Sequence, residues 1–320
     1  MNNKTKIIFD TDIGGDCDDA GALALLHRLC NKGEASLLAV THCYSSPYVA
    51  GCIDAINRFY GRVVPVGINY DISTTDRGVY AGELCDKFPN SYPSENYGTP
   101  KAAPDTLQVL RETLAKADDG SVTLVVTGTL ASMAKLISSK PDDISPLSGK
   151  ELVAKKICRT VVMGGRFFES WPMPVYPYCV PDGAPVEKEW NIKGSGIWAA
   201  QTVCNEWHGE IVFSSYEIGS YIETMVDYPK RAPKGDPVAH AYMVHNGGRG
   251  RASWDHTAIL EAVRPGTYWN YHEYGKVSVD ENFVTSWSRN ESYKHTYLLP
   301  KSDYNDIRDV IDNILDEPNM

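Results

Sequence analysis

Five carboxylates fall within ten residues near the start of the chain, in the run Asp10-Thr11-Asp12-Ile13-Gly14-Gly15-Asp16-Cys17-Asp18-Asp19. No lysine or arginine lies among them. Carboxylates that converge without a cation repel one another, and their pKa values rise. The run therefore points to a metal or catalytic site. An all-oxygen donor set suits Ca2+ or Mg2+ and not zinc. The competing account is a solvated turn in which Asp18 or Asp19 caps a helix, and that covers one or two of the five acids.

The elements around this run decide where it sits. Ile7-Ile8-Phe9 reads as a short strand buried on both faces, and Asp18 to Asn31 as a helix carrying Ala22, Leu23, Leu25, Leu26 and Leu29. Strands are expected at Leu37–Val40, Val63–Ile68, Val122–Val126, Thr160–Met163 and Ile211–Phe213. Helices are expected at Tyr48–Tyr60, Asp105–Ala117, Thr129–Ser138, Ile197–Val203, Asp255–Val263 and Asp303–Leu315. Two long segments, 71–103 and 166–188, read as loops, and loops of that length usually have a function. Alternating β and α segments with apolar strands predict an open, mainly parallel, Rossmann-like α/β sheet with helices on both faces. Ligands bind such sheets outside the carboxyl ends of the strands, where the acidic run lies. With no repeat, linker or composition break, residues 1–320 read as one domain.

Composition narrows the partners. The chain has 320 residues, 42% hydrophobic and 22% charged, as an ordinary globular protein should. Forty-one acids against thirty-one bases leave a net charge of −10, which argues against nucleic acid or an anionic membrane as partner. No apolar run approaches the ~20 residues of a membrane span, and Met1 to Lys6 leads straight into the first strand without a signal-like segment. The eight scattered cysteines contain no C-x-x-C pair, so free thiols in a reducing cytoplasm are expected.

The acidic run resembles the N-terminal signature of the inosine-uridine nucleoside hydrolases, Asp-x-Asp-x-Gly-x-Asp-Asp before an Ala/Leu-rich helix, with two extra residues between Gly14 and the Asp18-Asp19 pair. The resemblance continues in order through Val126-Thr127-Gly128-Thr129-Leu130, Val161-Val162-Met163-Gly164-Gly165, Glu189-Trp190-Asn191-Ile192 and Trp254-Asp255. It implies a nucleoside hydrolase fold and calcium-dependent hydrolysis of the N-glycosidic bond of ribonucleosides, releasing base and ribose. Position by position it implies Ca2+ held by Asp12, Asp19, the Thr127 carbonyl and Asp255, with the ion also holding two ribose hydroxyls and the attacking water. It makes Asp12 the acceptor of the water's proton and Asp18 a ribose ligand, with Glu189 and Asn191 on the other sugar hydroxyls and Asp10 as loop support. Asp16 falls in the insertion and has no counterpart. A homodimer or homotetramer is also implied.

The chain departs from the family pattern in three places. Ser46 stands where an Asn is common, so a ribose or water contact is shortened or lost. Trp254 stands where many members have the histidine that protonates the leaving base, and no histidine follows the third strand, where Tyr80 is the nearest substitute. One purine-specific branch also has Trp-Asp at the late position and stacks the base on the indole, which makes purine ribosides the expected substrates here and Trp254 a substrate contact. The loop aromatics Trp171, Tyr176 and Tyr178 could cover the base as well. Arg166, Arg249 and Arg251 leave a negatively charged substrate open. Two alternatives remain: a ribose- or nucleoside-binding protein that kept the calcium site without turnover, and a haloacid-dehalogenase-like phosphatase. The phosphatase would give no role to Asp18-Asp19, Glu189-Trp190-Asn191 or Trp254-Asp255.

Overall fold

A computed structural model describes residues 4–167 and 188–317. Strand β1 (Thr5–Thr11) lies near the middle of an eight-stranded sheet. The other members are β2 (Ala35–His42), β3 (Val66–Ile68), β4 (Val122–Val126), β5 (Ile157–Met163), β6 (Glu210–Ser214), β9 (Trp269–Tyr271) and β12 (Lys294–Pro300). Their order is β3-β2-β1-β4-β5-β6-β12-β9. Every pairing is parallel except β12 with β9 at the edge. Two small antiparallel pairs stand apart: β7 (Glu223–Thr224) with β8 (Arg251–Ala252), and β10 (Lys276–Val279) with β11 (Thr285–Ser288).

Successive strand residues feed opposite layers, as the pleat requires. Ile7, Phe9, Val125, Val161 and Val212 pack into one core with helices Asp18–Asn31, Val49–Phe59, Trp254–Val263 and Tyr304–Leu315. Ile8, Leu124, Val126, Val162 and Phe213 pack into the other with helices Thr106–Lys116, Ala131–Ile137 and Gly196–Glu206. The chain winds outward from β1 to β3, then returns to β4 on the other side of β1. That reversal opens a crevice at the carboxyl ends of β1 and β4. Among the described residues no helix is long and apolar enough to cross a membrane, and no cysteine is paired.

Two local expectations are corrected, and one strand carries no sequence signal. Segment 71–103 contains a helix, Ala81–Lys87, and a 3-10 turn, Ser94–Asn96; a seven-residue helix is too short to show a period. Helix Ala131–Ile137 starts after Leu130, not from a Thr129 cap, because Ser195 Oγ accepts the Leu130 N–H at 2.7 Å. Strand β12 went unread because Lys294, His295 and Thr296 break any apolar run, yet it pairs in parallel with β6.

Candidate functional site

The crevice deepens into a cavity of about 830 Å3 lined by Asp12, Asp16, Asp18, Asp19, Ser46, Thr127, Glu189, Asn191, Trp254 and Asp255, among others. Every expected site residue thus faces one space, although they come from five separate stretches of chain. The loop after β1 supplies the floor. Its backbone is held from below: Tyr80, fully buried, accepts the Gly14 N–H at 3.0 Å and donates to the Asp16 carbonyl at 2.8 Å. Tyr80 is therefore a strut under the loop rather than a cavity group. His42 is another. Its two ring nitrogens each face a backbone carbonyl, Nε2 that of Ile13 at 3.0 Å and Nδ1 that of Tyr44 at 2.7 Å. Burial drops its pKa to about 4, against the pull of those carbonyls, so the ring is neutral and donates from one of the two nitrogens. Asp10 points away from the cavity, accepting from Thr41 Oγ1 at 2.5 Å, and its carbonyl accepts the Thr127 N–H at 2.8 Å. Gly128 permits this close seam, since a Cβ there would lie 2.7 Å from the Thr11 carbonyl carbon.

On this floor the carboxylates of Asp18, Asp19 and Asp255 bring oxygens within 4.8 Å of one another, all buried. Asp255 opens the helix Trp254–Val263, and its N–H donates to Asp18 Oδ2 at 3.3 Å. Thr11 and Thr127 hydroxyls donate to Asp19, the latter at 3.3 Å. Burial first, and then mutual repulsion, hold the carboxyls of Asp18, Asp19 and Asp255 well above the ordinary range. Asp12 borders the group and is pushed up to about 7, by burial and then by the charge of Asp18, against a hydrogen bond with Asp19. Such a set stays ionised only if a cation joins it. The donors are all oxygen, so the residues fit a hard divalent metal.

Asp16, left unassigned by the sequence, has a definite place. Arg251 donates to both its oxygens, from Nε at 2.9 and 3.0 Å, and His245 approaches at 3.5 Å. The Arg251 guanidinium in turn lies 4.9 Å from the Trp254 ring centroid. The indole donates from Nε1 to the Tyr216 carbonyl (2.9 Å) and stacks on the Tyr216 ring at 5.4 Å. A Cβ at Gly219 would strike Trp254 Cα at 2.4 Å, so glycine is what lets these two elements meet. Tyr216 and Tyr44 also line the cavity; neither carried a signal in the sequence, because each is a single aromatic in an otherwise unmarked segment.

The remaining groups have mixed duties. Glu189 caps the helix Trp190–Gly194, accepting from the Asn191 (2.8 Å), Ile192 (2.9 Å) and Gly165 (3.1 Å) amides. Asn191 donates from Nδ2 to the carbonyls of Thr127 (2.7 Å) and Met163 (3.1 Å). That leaves its Oδ1 for a ligand, and one of the two lone pairs on the Thr127 carbonyl. Ser46 is buried in the lining and accepts the Tyr48 N–H at 3.3 Å. His256 is buried on the far side, where a Cβ on Gly21 would meet its ring, and does not line the cavity. Trp171, Tyr176 and Tyr178 lie outside the described residues.

A profile of the inosine-uridine preferring nucleoside hydrolases matches residues 7–294. The chain belongs to that family of metal-dependent N-ribosylhydrolases, and the phosphatase alternative falls away. No curated protein matches it in sequence. Among solved structures, the plant nucleoside hydrolase PpNRh1 is similar over 99% of this chain and 100% of its own, at 16% identity and a TM-score of 0.67. The inosine-uridine preferring nucleoside hydrolase of Bacillus anthracis is similar over 98% and 99%, at 16% identity and 0.65. The type III effector protein XopQ, solved with adenosine diphosphate ribose, is similar over 99% and 94%, at 15% identity and 0.67. At these identities the likeness establishes the nucleoside hydrolase fold.

Proposed function

We propose that the chain hydrolyses the N-glycosidic bond of purine ribonucleosides with Ca2+ held by Asp12, Asp19, the Thr127 carbonyl and Asp255. The observation that carries this reading is the group of buried carboxylates at the β1/β4 crevice, with Asp18, Asp19 and Asp255 within 4.8 Å of one another. Asp18 is as close to that group as the assigned ligands, so it serves either the ion or the ribose. When bound, the ion supplies the positive charge that keeps these acids ionised and holds oxygen groups in place.

The chain's own residues do the rest. Asp12 accepts the proton of the attacking water on a carboxylate oxygen, a contribution of order 10²–10⁴ in rate. Asp18, the Asn191 Oδ1 and Glu189 hold sugar hydroxyls, which orients the anomeric carbon toward that water. Leaving the bond polarises the ribose toward an oxocarbenium-like cation, and the acidic floor stabilises that charge. No histidine lines the cavity among the described residues, so the base leaves without the usual acid. Trp254 with Tyr216 offers an aromatic wall for a purine, and stacking there favours its protonation by solvent. The test is release of free ribose from a nucleoside panel with and without Ca2+.

A second reading, a ribose-binding protein without turnover, is supported by Ser46, by the missing histidine, and by the similarity to XopQ, whose structure holds adenosine diphosphate ribose. Binding without ribose release would select it. Assembly as a homodimer or homotetramer belongs to the same proposal and is checked by light scattering.

A further inference from the structure

Arg166 is not used by the chemistry above, and its setting is unusual. It follows Gly165 at the carboxyl end of β5 and lines the same cavity as the carboxylate floor. Its side chain is only 9% exposed. The guanidinium carbon lies over the Tyr216 ring, 5.2 Å from its centroid. A guanidinium carries five N–H donors in the plane of its fork, and a ring over its carbon takes none of them. Among the described residues none of them is hydrogen-bonded, and Nε is fully enclosed without a partner. Buried Glu217 pairs with it by charge, Oε1 standing 3.9 Å from Nε, beyond hydrogen-bond reach, and accepts the Phe167 N–H at 2.9 Å. A buried guanidinium with empty donors is costly unless a ligand fills them.

Arg166 is not alone. Lys188, also in the lining, lies 5.8 Å from the Phe283 ring centroid and makes no ion pair among the described residues. Arg251 differs, because Asp16 already holds it. Arg166, charge-paired with Glu217 but with its donors unfilled, and Lys188, without an ion pair among the described residues, thus share a cavity with an acidic floor. A neutral nucleoside leaves the Arg166 donors and the Lys188 charge unfilled, whereas a phosphate oxygen pair suits the fork of Arg166 and a nearby ammonium.

We infer that the cavity takes a riboside bearing a phosphate group, with Arg166 as its bidentate anchor and Lys188 as a second, looser contact. The inference rests on the reading of this cavity as a ribose site. Calorimetric titration of the calcium-loaded protein with ribose 5-phosphate and with ribose tests it. The phosphorylated sugar should bind about tenfold tighter or more, the range of a hydrogen-bonded charge pair. Arg166→Met should collapse that ratio toward one, Arg166→Lys should restore part of it, and Arg249→Met, outside the cavity, should leave it unchanged. Equal affinity for both sugars in the unmodified protein overturns the inference while the hydrolase reading stands. Loss of affinity for both sugars together in Arg166→Met, with an unchanged melting temperature, also overturns it. Failure of the unmodified protein to bind either sugar removes the ribose site itself, and this inference with it.

Discussion

The floor and the wall of the cavity are built on different principles. The floor is built on one continuous loop, Asp10 to Asp19, joined by Asp255 and pinned by backbone hydrogen bonds from the end of β4, by Tyr80 and by neutral His42. The wall is a relay of side chains from distant segments: Asp16, Arg251, Trp254, Tyr216 and Arg166. Charge is concentrated in the floor, and flat polarisable surface in the wall. The floor is suited to holding a cation and moving a proton, and the wall to choosing what is bound. Damage to the floor should therefore abolish turnover, and damage to the wall should change its preference.

The largest effects belong to the floor. Asp12→Asn should lower kcat on the order of 10²–10⁴-fold, the usual loss on removing a general base, with metal content measured alongside. Asp19→Ala should lose both metal and ribose release; full retention of either would place the ion elsewhere. Next in size is chelation. A ligand at a hundred times its Kd stabilises the native state by about 2.7 kcal/mol, so stripping the metal should lower the melting temperature and activity together.

The stripped protein should also show a specific pH trend. Burial raises the Asp10 and Asp12 carboxyls to about 7 in the fold, while in the unfolded chain they ionise near pH 4. Between these values the native state holds more protons, so stability contributed by these groups is full below about pH 4 and is lost as pH rises through 7. Denaturant melts of the chelated protein from pH 4 to 8 measure it. Added Ca2+ should flatten the upper part of the curve for Asp12 but not for Asp10, which faces Thr41 instead of the cavity.

The wall gives the smallest effects. Trp254→Ala should remove ~1–3 kcal/mol of stacking, by analogy with base–aromatic contacts. If the stack acts on the departing base, kcat falls with kcat/KM on purine ribosides, while nitrophenyl riboside, a good leaving group, is largely spared. Equal losses on both substrates would make Trp254 structural, consistent with its packing against Tyr216 and Arg251. Faster turnover of uridine than inosine by the unmodified protein would contradict purine preference.

This contrast also explains what could be read from the sequence. The floor was legible because all of its acids but Asp255 fall in one run after an apolar strand, so the switch-point geometry of the sheet places them. Helix Asp18–Asn31 and strand β4 appear where their patterns predict. The wall was only half legible. Trp254 stood out beside Asp255, but Tyr216 lies 38 residues away in a four-residue helix with no pattern. The tie from Asp16 to Arg251 spans 235 positions and depends on tertiary placement alone. Glu189 illustrates a third case, since its role as helix cap and its place in the cavity are compatible and no sequence spacing separates them.

The central claim is that the carboxylate floor, once loaded with Ca2+, cleaves ribonucleosides. Free ribose should be measured from inosine, adenosine, guanosine, uridine and cytidine, with the protein first chelated and then resupplied with Ca2+. Ribose should appear from the purine ribosides before the pyrimidine ones, with release abolished by chelation and restored by the metal. Binding of nucleosides with no ribose released under any metal condition would contradict it.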